Sequence, residues 1–379
     1  MQLIPLLQKL IACKSITPTD DGAIDLIYQV LKEHGFNCEI MTFSGNGSYE
    51  VKNLYARFGS SSPHICFAGH TDVVPTGDIS NWKFDPFTGI INEGIIYGRG
   101  VVDMKGAVSA MIFAACKFVK ASQFSGSISF LITGDEEAEG INGTKQVLNQ
   151  LSKMGEKLDA CIVGEPTSTI NFGDTIKVGR RGSITFYLKI KGTQGHVAYP
   201  HNADNPINYI IKILNAAKIY NLDQGNEFFD PSNLEITSVD VGNSADNVIP
   251  ALASATFNIR FNNNHTSEGL INFIKSICDD IALEKYELKY RISGESFLTE
   301  SSELINILQD SITKITGKQA ALSTSGGTSD ARFIKDYCPV IEFGLLNSTA
   351  HKADECSSVE HIEKLEGIYR QFLVKFFKI

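Results

Sequence analysis

Five times along this chain, a short apolar, β-prone run ends against a carboxylate or an imidazole. Run 64–68 leads to His70 and Asp72, 95–97 to Asp103, 127–132 to Glu136 and Glu137, 160–163 to Glu165, and 340–343 to His351. An α/β sheet places its chemistry in this way, in the crevice beyond the carboxyl ends of its strands. Two imidazoles and several carboxylates brought together there would bind a pair of divalent cations, and such pairs mainly serve hydrolysis.

The spacing of the remaining apolar residues predicts the frame. Residues 1–34 read as a helix broken around 15–20. Strand-like runs at 53–58, 64–68, 95–97, 127–132 and 160–163 alternate with helical patterns, notably 104–121 and 143–154. Such alternation implies an α/β layered domain with a substantial parallel component. From Arg181 the pattern changes to strand 183–190, helix 205–220, strands 234–241 and 253–261, helix 267–284 and strand 286–293. The order β-α-β-β-α-β is that of the ferredoxin-like split unit. Beyond Gly294 come helix 302–316, strand 320–323, helix 329–335, strand 340–343 and helix 358–376.

A chain of 379 residues is too long for one ordinary core. His351 must also join ligands that lie some two hundred residues earlier. Residues 1–180 and 294–379 are therefore expected to form one discontinuous di-metal catalytic domain, a mixed sheet flanked by helices. Residues 181–293 are expected as an inserted ferredoxin-like dimerisation or lid domain.

Net charge and cysteine usage narrow the classes. The formal charge of −9 argues against nucleic acid or an anionic membrane as partner. It leaves room for a small anionic substrate, because a local arginine cluster reverses the sign inside a cleft. The N-terminus lacks the basic start, long apolar core and cleavage site of a signal peptide. No uninterrupted apolar stretch is long enough to span a bilayer. The eight cysteines are scattered without a Cys-x-x-Cys pair, and several lie inside apolar runs. Reduced thiols and a cytoplasmic setting are expected.

Each candidate carries its own chemical logic. His70 and Asp72 are two apart, so on a continuing strand they share a face. His70 reads as a ligand, and the Asp72 carboxylate as the acceptor of its other N–H, fixing the tautomer. Asp103 opens a long helix as either a bridging ligand or an N-terminal cap. Asp135, Glu136 and Glu137 repel one another unless a cation sits among them. One acid would bind metal while its neighbour handles protons, since a metal-bound carboxylate has lost its basicity.

Together these segments carry a resemblance. His70-Thr-Asp72, Gly98-Arg-Gly…Asp103-Met-Lys-Gly106, Asp135-Glu-Glu137, Gly164-Glu-Pro166 and His351-Lys-x-x-Glu355 resemble the signatures of the di-zinc aminoacylase/carboxypeptidase metallohydrolases. The likeness extends over nearly the whole chain. Gly179-Arg-Arg-Gly-Ser183, Gly195-His-Val-Ala-Tyr-Pro-His201, Gly225-Asn-Glu-Phe-Phe229, Asn247-Val-Ile-Pro250 and Ser325-Gly-Gly-Thr-Ser-Asp330 narrow it to members acting on a small anionic N-acyl amino acid.

The resemblance implies one zinc held by His70 and Glu165, the other by Glu137 and His351, and Asp103 bridging; ligand type alone also permits cobalt or manganese. It implies Glu136 as general acid/base, Asp72 as the carboxylate supporting a histidine, and His196 as an oxyanion donor from the partner subunit of a homodimer. It implies Arg180, Ser183, Tyr199, Asn247, Arg260, Thr328 and Asn347 as substrate contacts. Arg332, at the start of a short helix, is a further candidate for anions, and Arg181 is expected as a surface arginine paired to an acid.

Overall fold

The computed structural model describes residues 2–45 and 47–379. The chain divides into two compact units. The first is assembled from Met1–Val178, Thr299–Ser323 and Ser329–Ile379, the second from Gly179–Leu298 and Thr324–Thr328.

The first unit is built on an eight-stranded mixed sheet. In spatial order its strands are Asn37–Gly45, Ser48–Gly59, Ser127–Thr133, His64–His70, Ala160–Val163, Val340–Glu342, Thr175–Lys177 and Ala321–Ser323. The central four are parallel, so their carboxyl ends lie on one edge. From His64–His70 the chain goes to one side, to Ser127–Thr133, and then to the other, to Ala160–Val163. That reversal opens a crevice at the end of His64–His70.

Every residue of His64–His70 and of Ser127–Thr133 is buried, which requires cover on both faces. Helix Gly106–Ala121, buried nearly all round, packs with Val359–Phe376. Helices Ala23–Glu33 and Thr144–Lys153 lie against the Ser48–Gly59 side. Phe67 sits between Phe130 and Tyr369, with ring centroids 5.7 and 5.6 Å away. Among the described residues no helix is long and apolar enough to cross a membrane.

The second unit has the ferredoxin-like order. Its four-stranded antiparallel sheet runs Asn233–Asp240, Leu252–Phe261, Gly182–Lys191, Tyr286–Gly294. Ile184, Phe186, Leu188 and Ile190 alternate onto one face, where they meet helices Pro206–Ile219 and Ser267–Ala282. Phe186 stacks on Phe257 at 5.1 Å. Period two on the strands and a helical period between them suffice to specify this layer.

Some expectations need correction. The edge strand Asn37–Gly45 and the short strands Thr175–Lys177, Gly179–Arg180 and Cys356–Ser358 had no place in the sequence pattern. Asn37–Gly45 is largely exposed and its pattern is mixed, so periodicity does not mark it. The helix expected from 104 begins at Gly106, because Asp103 and Met104 adopt non-helical backbone angles. The helix expected at 329–335 shrinks to the four residues Ala331–Ile334, too short to offer an anion site beside Arg332. The Arg332 guanidinium lies over the Phe333 ring instead, 4.6 Å from its centroid.

Candidate metal centre

The parallel strands deliver their chemistry to one edge. His70 is the last residue of its strand, Glu136 and Glu137 follow Ser127–Thr133, and Glu165 follows Ala160–Val163. Asp103 and His351 arrive on loops, and the loop ending at His351 begins with the Asn347–Thr349 turn. His351 adopts φ 62°, a left-handed conformation unusual outside glycine. Asn347, on that same turn, is exposed, and its backbone N–H is bound to Ser168.

The Asp103 loop is locked from below by its neighbour. The fully buried Met104 side chain lies against Gly69 and Gly164 at the ends of two adjacent strands. A Cβ at Gly69 or at Gly164 would come within 2.4 or 2.6 Å of the Met104 terminal methyl. A side chain at either position would displace the Met104 methyl, and at Gly164 it would also meet Ala107 Cβ at 2.9 Å. The Asp103–Met104 peptide is cis.

Two groups of ligand atoms result, His70, Asp103 and Glu165 in one and Asp103, Glu137 and His351 in the other. Asp103 divides its oxygens between them. Its Oδ1 is 3.2 Å from His70 Nε2, and its Oδ2 is 3.1 Å from His351 Nε2. Glu165 Oε1 lies 3.7 Å from His70 Nε2, and Glu137 Oε1 lies 2.9 Å from His351 Nε2. The strand-end residues of the first chain segment and His351 of the last thus converge.

The electrostatics demand positive charge at these points. Burial pushes the Glu165 carboxyl well up, and Asp103 and Glu136 push it further. Its Oε1 is buried with no hydrogen-bond partner. Burial opposes charge on His70, yet Asp103, Asp72 and Glu165 raise the imidazole well above its usual value. Hydrogen bonds to Asp103 and Glu137 push His351 up to about 10 against the pull of burial. Burial alone would raise Asp103, but His351 and His70 hold it well below the usual carboxylate range. The carboxylates around both histidines pull them towards their charged forms. Nitrogen and oxygen donors around one shared carboxylate fit a pair of divalent cations.

The acidic triplet separates into three roles. Asp135 is buried and structural: it accepts the Tyr49 hydroxyl and the N–H of Ile141. Glu137 belongs to a ligand group, and Glu136 to neither. Burial pushes the Glu136 carboxyl well up; His70 opposes, while Asp330, Glu137 and Asp103 add to the rise.

Asp72 departs from expectation. His70 Nδ1 is 2.9 Å from the Asp72 backbone carbonyl, and the nearer carboxylate oxygen is 3.6 Å away. The carboxylate instead accepts the backbone N–H groups of Glu136, at 3.1 and 3.2 Å, and Glu137, at 3.0 Å. Thr17 Oγ1 also donates to it, at 2.9 Å. Three donors converging on one carboxylate outcompete a single imidazole N–H, which the carbonyl serves equally well. Thr17 escaped notice in the sequence, where it marked only a helix break.

The other candidates lie in the second unit, His196, Arg180, Ser183 and Arg260 on three different sheets and Tyr199, Asn247 and Thr328 outside the strands. His196, in the strand pair with Val248–Ile249, is exposed, and its Nδ1 accepts the Ala198 N–H at 3.0 Å. Tyr199 faces it at 5.8 Å between ring centroids, and the Asn247 carbonyl accepts the Val197 N–H. Arg180, opposite Phe297, donates to Gly327, the neighbour of Thr328.

Ser183 and Arg260 are register partners in the main sheet. Arg260 Nη1 is buried without a hydrogen-bond partner, and burial and nearby Arg181 lower its pKa. Arg181 bonds to the Pro231 carbonyl and to Asn233 Oδ1, not to the acid expected for it. Two adjacent guanidinium groups, one with an unused donor, form a cationic spot suited to a carboxylate.

The model of peptidase family M20/M25/M40 matches residues 66–375. The chain belongs to this family. Among similar proteins, a succinyl-diaminopimelate desuccinylase of Ehrlichia canis (strain Jake) is 56% identical over 377 residues, covering 99% of this chain and 98% of its own length. One from Parvibaculum lavamentivorans is 50% identical over 372 residues, covering 97% and 94%. An M20 family metallo-carboxypeptidase from Sulfolobus solfataricus shares the fold, with TM-score 0.81 at 18% identity and full coverage of both chains. A dinuclear metal binding peptidase of the M20 family from Bacillus subtilis superposes with TM-score 0.68 at 17% identity, covering 99% of this chain and 98% of its own.

Proposed function

We propose that this M20 chain is a di-metal amidohydrolase converting N-succinyl-LL-2,6-diaminopimelate and water to LL-2,6-diaminopimelate and succinate, in bacterial diaminopimelate and lysine biosynthesis. The observation that carries the chemistry is Asp103 shared between two ligand groups, with Glu136 beside both and belonging to neither. The choice of substrate rests on the near full-length likeness to succinyl-diaminopimelate desuccinylases.

His70 and Glu165 would hold one cation, Glu137 and His351 the other, and Asp103 both, with zinc preferred and cobalt or manganese accepted by the same donors. Bound there, the pair supplies Lewis acidity and a water acidified towards neutrality. Glu136 takes the proton of the attacking water on its carboxylate and returns it to the amide nitrogen as the C–N bond breaks. Asp72 keeps Glu136 in place through the backbone.

His196 is proposed as the donor to the carbonyl oxygen. Because its Nδ1 accepts the Ala198 N–H, the neutral ring carries its proton on Nε2, leaving that atom to donate. In a homodimer the second copy would supply it. Arg260 and Arg180, with Ser183, Tyr199, Asn247, Thr328 and Asn347, would receive the three carboxylates of the substrate. A cytoplasmic location agrees with eight free cysteines.

The test compares hydrolysis of N-succinyl-LL-2,6-diaminopimelate with that of N-acetylornithine, using zinc-loaded protein and a chelated control. Strong preference for the succinyl compound is expected. Equal or better turnover of the acetyl compound would instead make the chain an acetylornithine deacetylase or related N-acyl deacylase; cleavage only of peptides would make it a carboxypeptidase.

A further inference from the structure

Glu355 lies four residues past His351, has no solvent exposure and binds no candidate cation. Its carboxylate is saturated by donors from a single loop. Oε2 accepts Arg99 Nη1 at 2.7 Å and the Gly100 N–H at 3.0 Å. Oε1 accepts the Val102 N–H at 2.8 Å and the Asp103 N–H at 3.1 Å. Arg99 completes the clasp by donating to the Lys352 and Pro75 carbonyls, each at 3.2 Å, and by lying over the Trp82 ring.

One buried carboxylate therefore ties the backbone of the shared ligand Asp103 to the loop that carries His351. Beyond this clasp, the strand pairing of Cys356–Ser358 with Ile95–Tyr97 and the Gly98 N–H bond to the Glu355 carbonyl also join the two loops. That pairing sets the distance between the loops. The Glu355 carboxylate also accepts the Asp103 N–H itself and, together with the Met104 packing, bears on where the Asp103 oxygens point.

We propose that Glu355, clamped by Arg99, is a positioning residue that preorganises the Asp103–Glu137–His351 cation site before metal arrives. The inference rests on the metal-pair reading but not on the substrate. Its assay accordingly uses zinc alone.

Zinc is titrated into metal-free wild type, Glu355→Gln and Arg99→Gln against a chromophoric chelator, with thermal unfolding of each metal-free protein in parallel. In Glu355→Gln one oxygen becomes an amide that faces a donor. The zinc affinity of the site that includes Glu137 and His351 should fall about 10–100-fold, as for other groups that orient ligands. The other affinity should change less. Arg99→Gln leaves three backbone donors on Glu355 and should lose a smaller factor at the same site.

A merely structural clasp would lower the melting temperature of the metal-free variants and leave both zinc affinities within about twofold; that result overturns the proposal. Should Glu355→Gln fail to fold, the wild type decides. Amide hydrogens of Gly100, Val102 and Asp103 should exchange slowly in the metal-free protein. Fast exchange that slows only on adding zinc would mean that the metal, not Glu355, orders the loop.

Discussion

Replacing Asp72 by Asn separates two accounts of this carboxylate. If it supports His70, the change should weaken the metal bound there. If it holds the acidic loop, the change should leave both metals in place and disturb Glu136. The geometry favours the second account, since the Asp72 carboxylate receives the Glu136 and Glu137 N–H groups and the Thr17 hydroxyl, while His70 Nδ1 uses the carbonyl. An Asn oxygen at the Oδ2 position can keep these donors, but as neutral bonds. Its NH2 then faces the Glu136 N–H, 3.2 Å from the Oδ1 position.

Losing charge assistance on two or three bonds costs about 1 kcal/mol each, or about 2–3 kcal/mol in all. At 1.36 kcal/mol per tenfold in rate, kcat should fall about 30- to 150-fold. The assay is steady-state desuccinylation at saturating zinc, with metal content measured on the same preparation. KM should be nearly unchanged and two metals retained per chain. Loss of one metal, or a kcat equal to wild type, would refute the loop-holding role.

Other outcomes follow from the same geometry. Glu136→Ala should lower kcat about 10²–10⁴-fold while both zinc ions remain bound, as checked by elemental analysis beside the assay. Arg260→Gln removes the unpartnered Nη1 donor, so KM for the succinylated substrate should rise about 10- to 100-fold in a steady-state assay. Asp330 is pushed up to about 6 by burial, against Arg332 and Thr144, from an ordinary 3.8. Its contribution to stability is therefore fully present below about 3.8 and lost as pH rises through about 6. Metal-free Asp330→Asn should melt above wild type at pH 8, with the gap closed by pH 4; a gap of equal size at both pH values would exclude this linkage.

Much of the frame was legible because it is periodic. Alternation in 183–190 and 253–261 and helical spacing in 205–220 and 267–284 mark the sheet and helix layers of the second unit, and the structure keeps these elements to within a few residues. The fully buried central strands of the first unit were equally plain as apolar runs. Asn37–Gly45 and Thr175–Lys177 were not. Edge and very short strands owe their state to a neighbour far along the chain, and local pattern does not carry that neighbour.

The site divides in the same way. Sequence alone determined which kinds of group stand at the strand ends, because a strand's length and alternation fix where its last side chain emerges. It could not determine how three consecutive acids share their work. Asp135 became structural through Tyr49, 86 positions away, and Glu137 a candidate ligand through His351, 214 positions away. Tertiary structure also turned Asp72 from the histidine to the loop, and gave Glu355 four donors from a distant segment. A carboxylate's role is set by whichever donors surround it after burial, and folding alone brings those donors within reach.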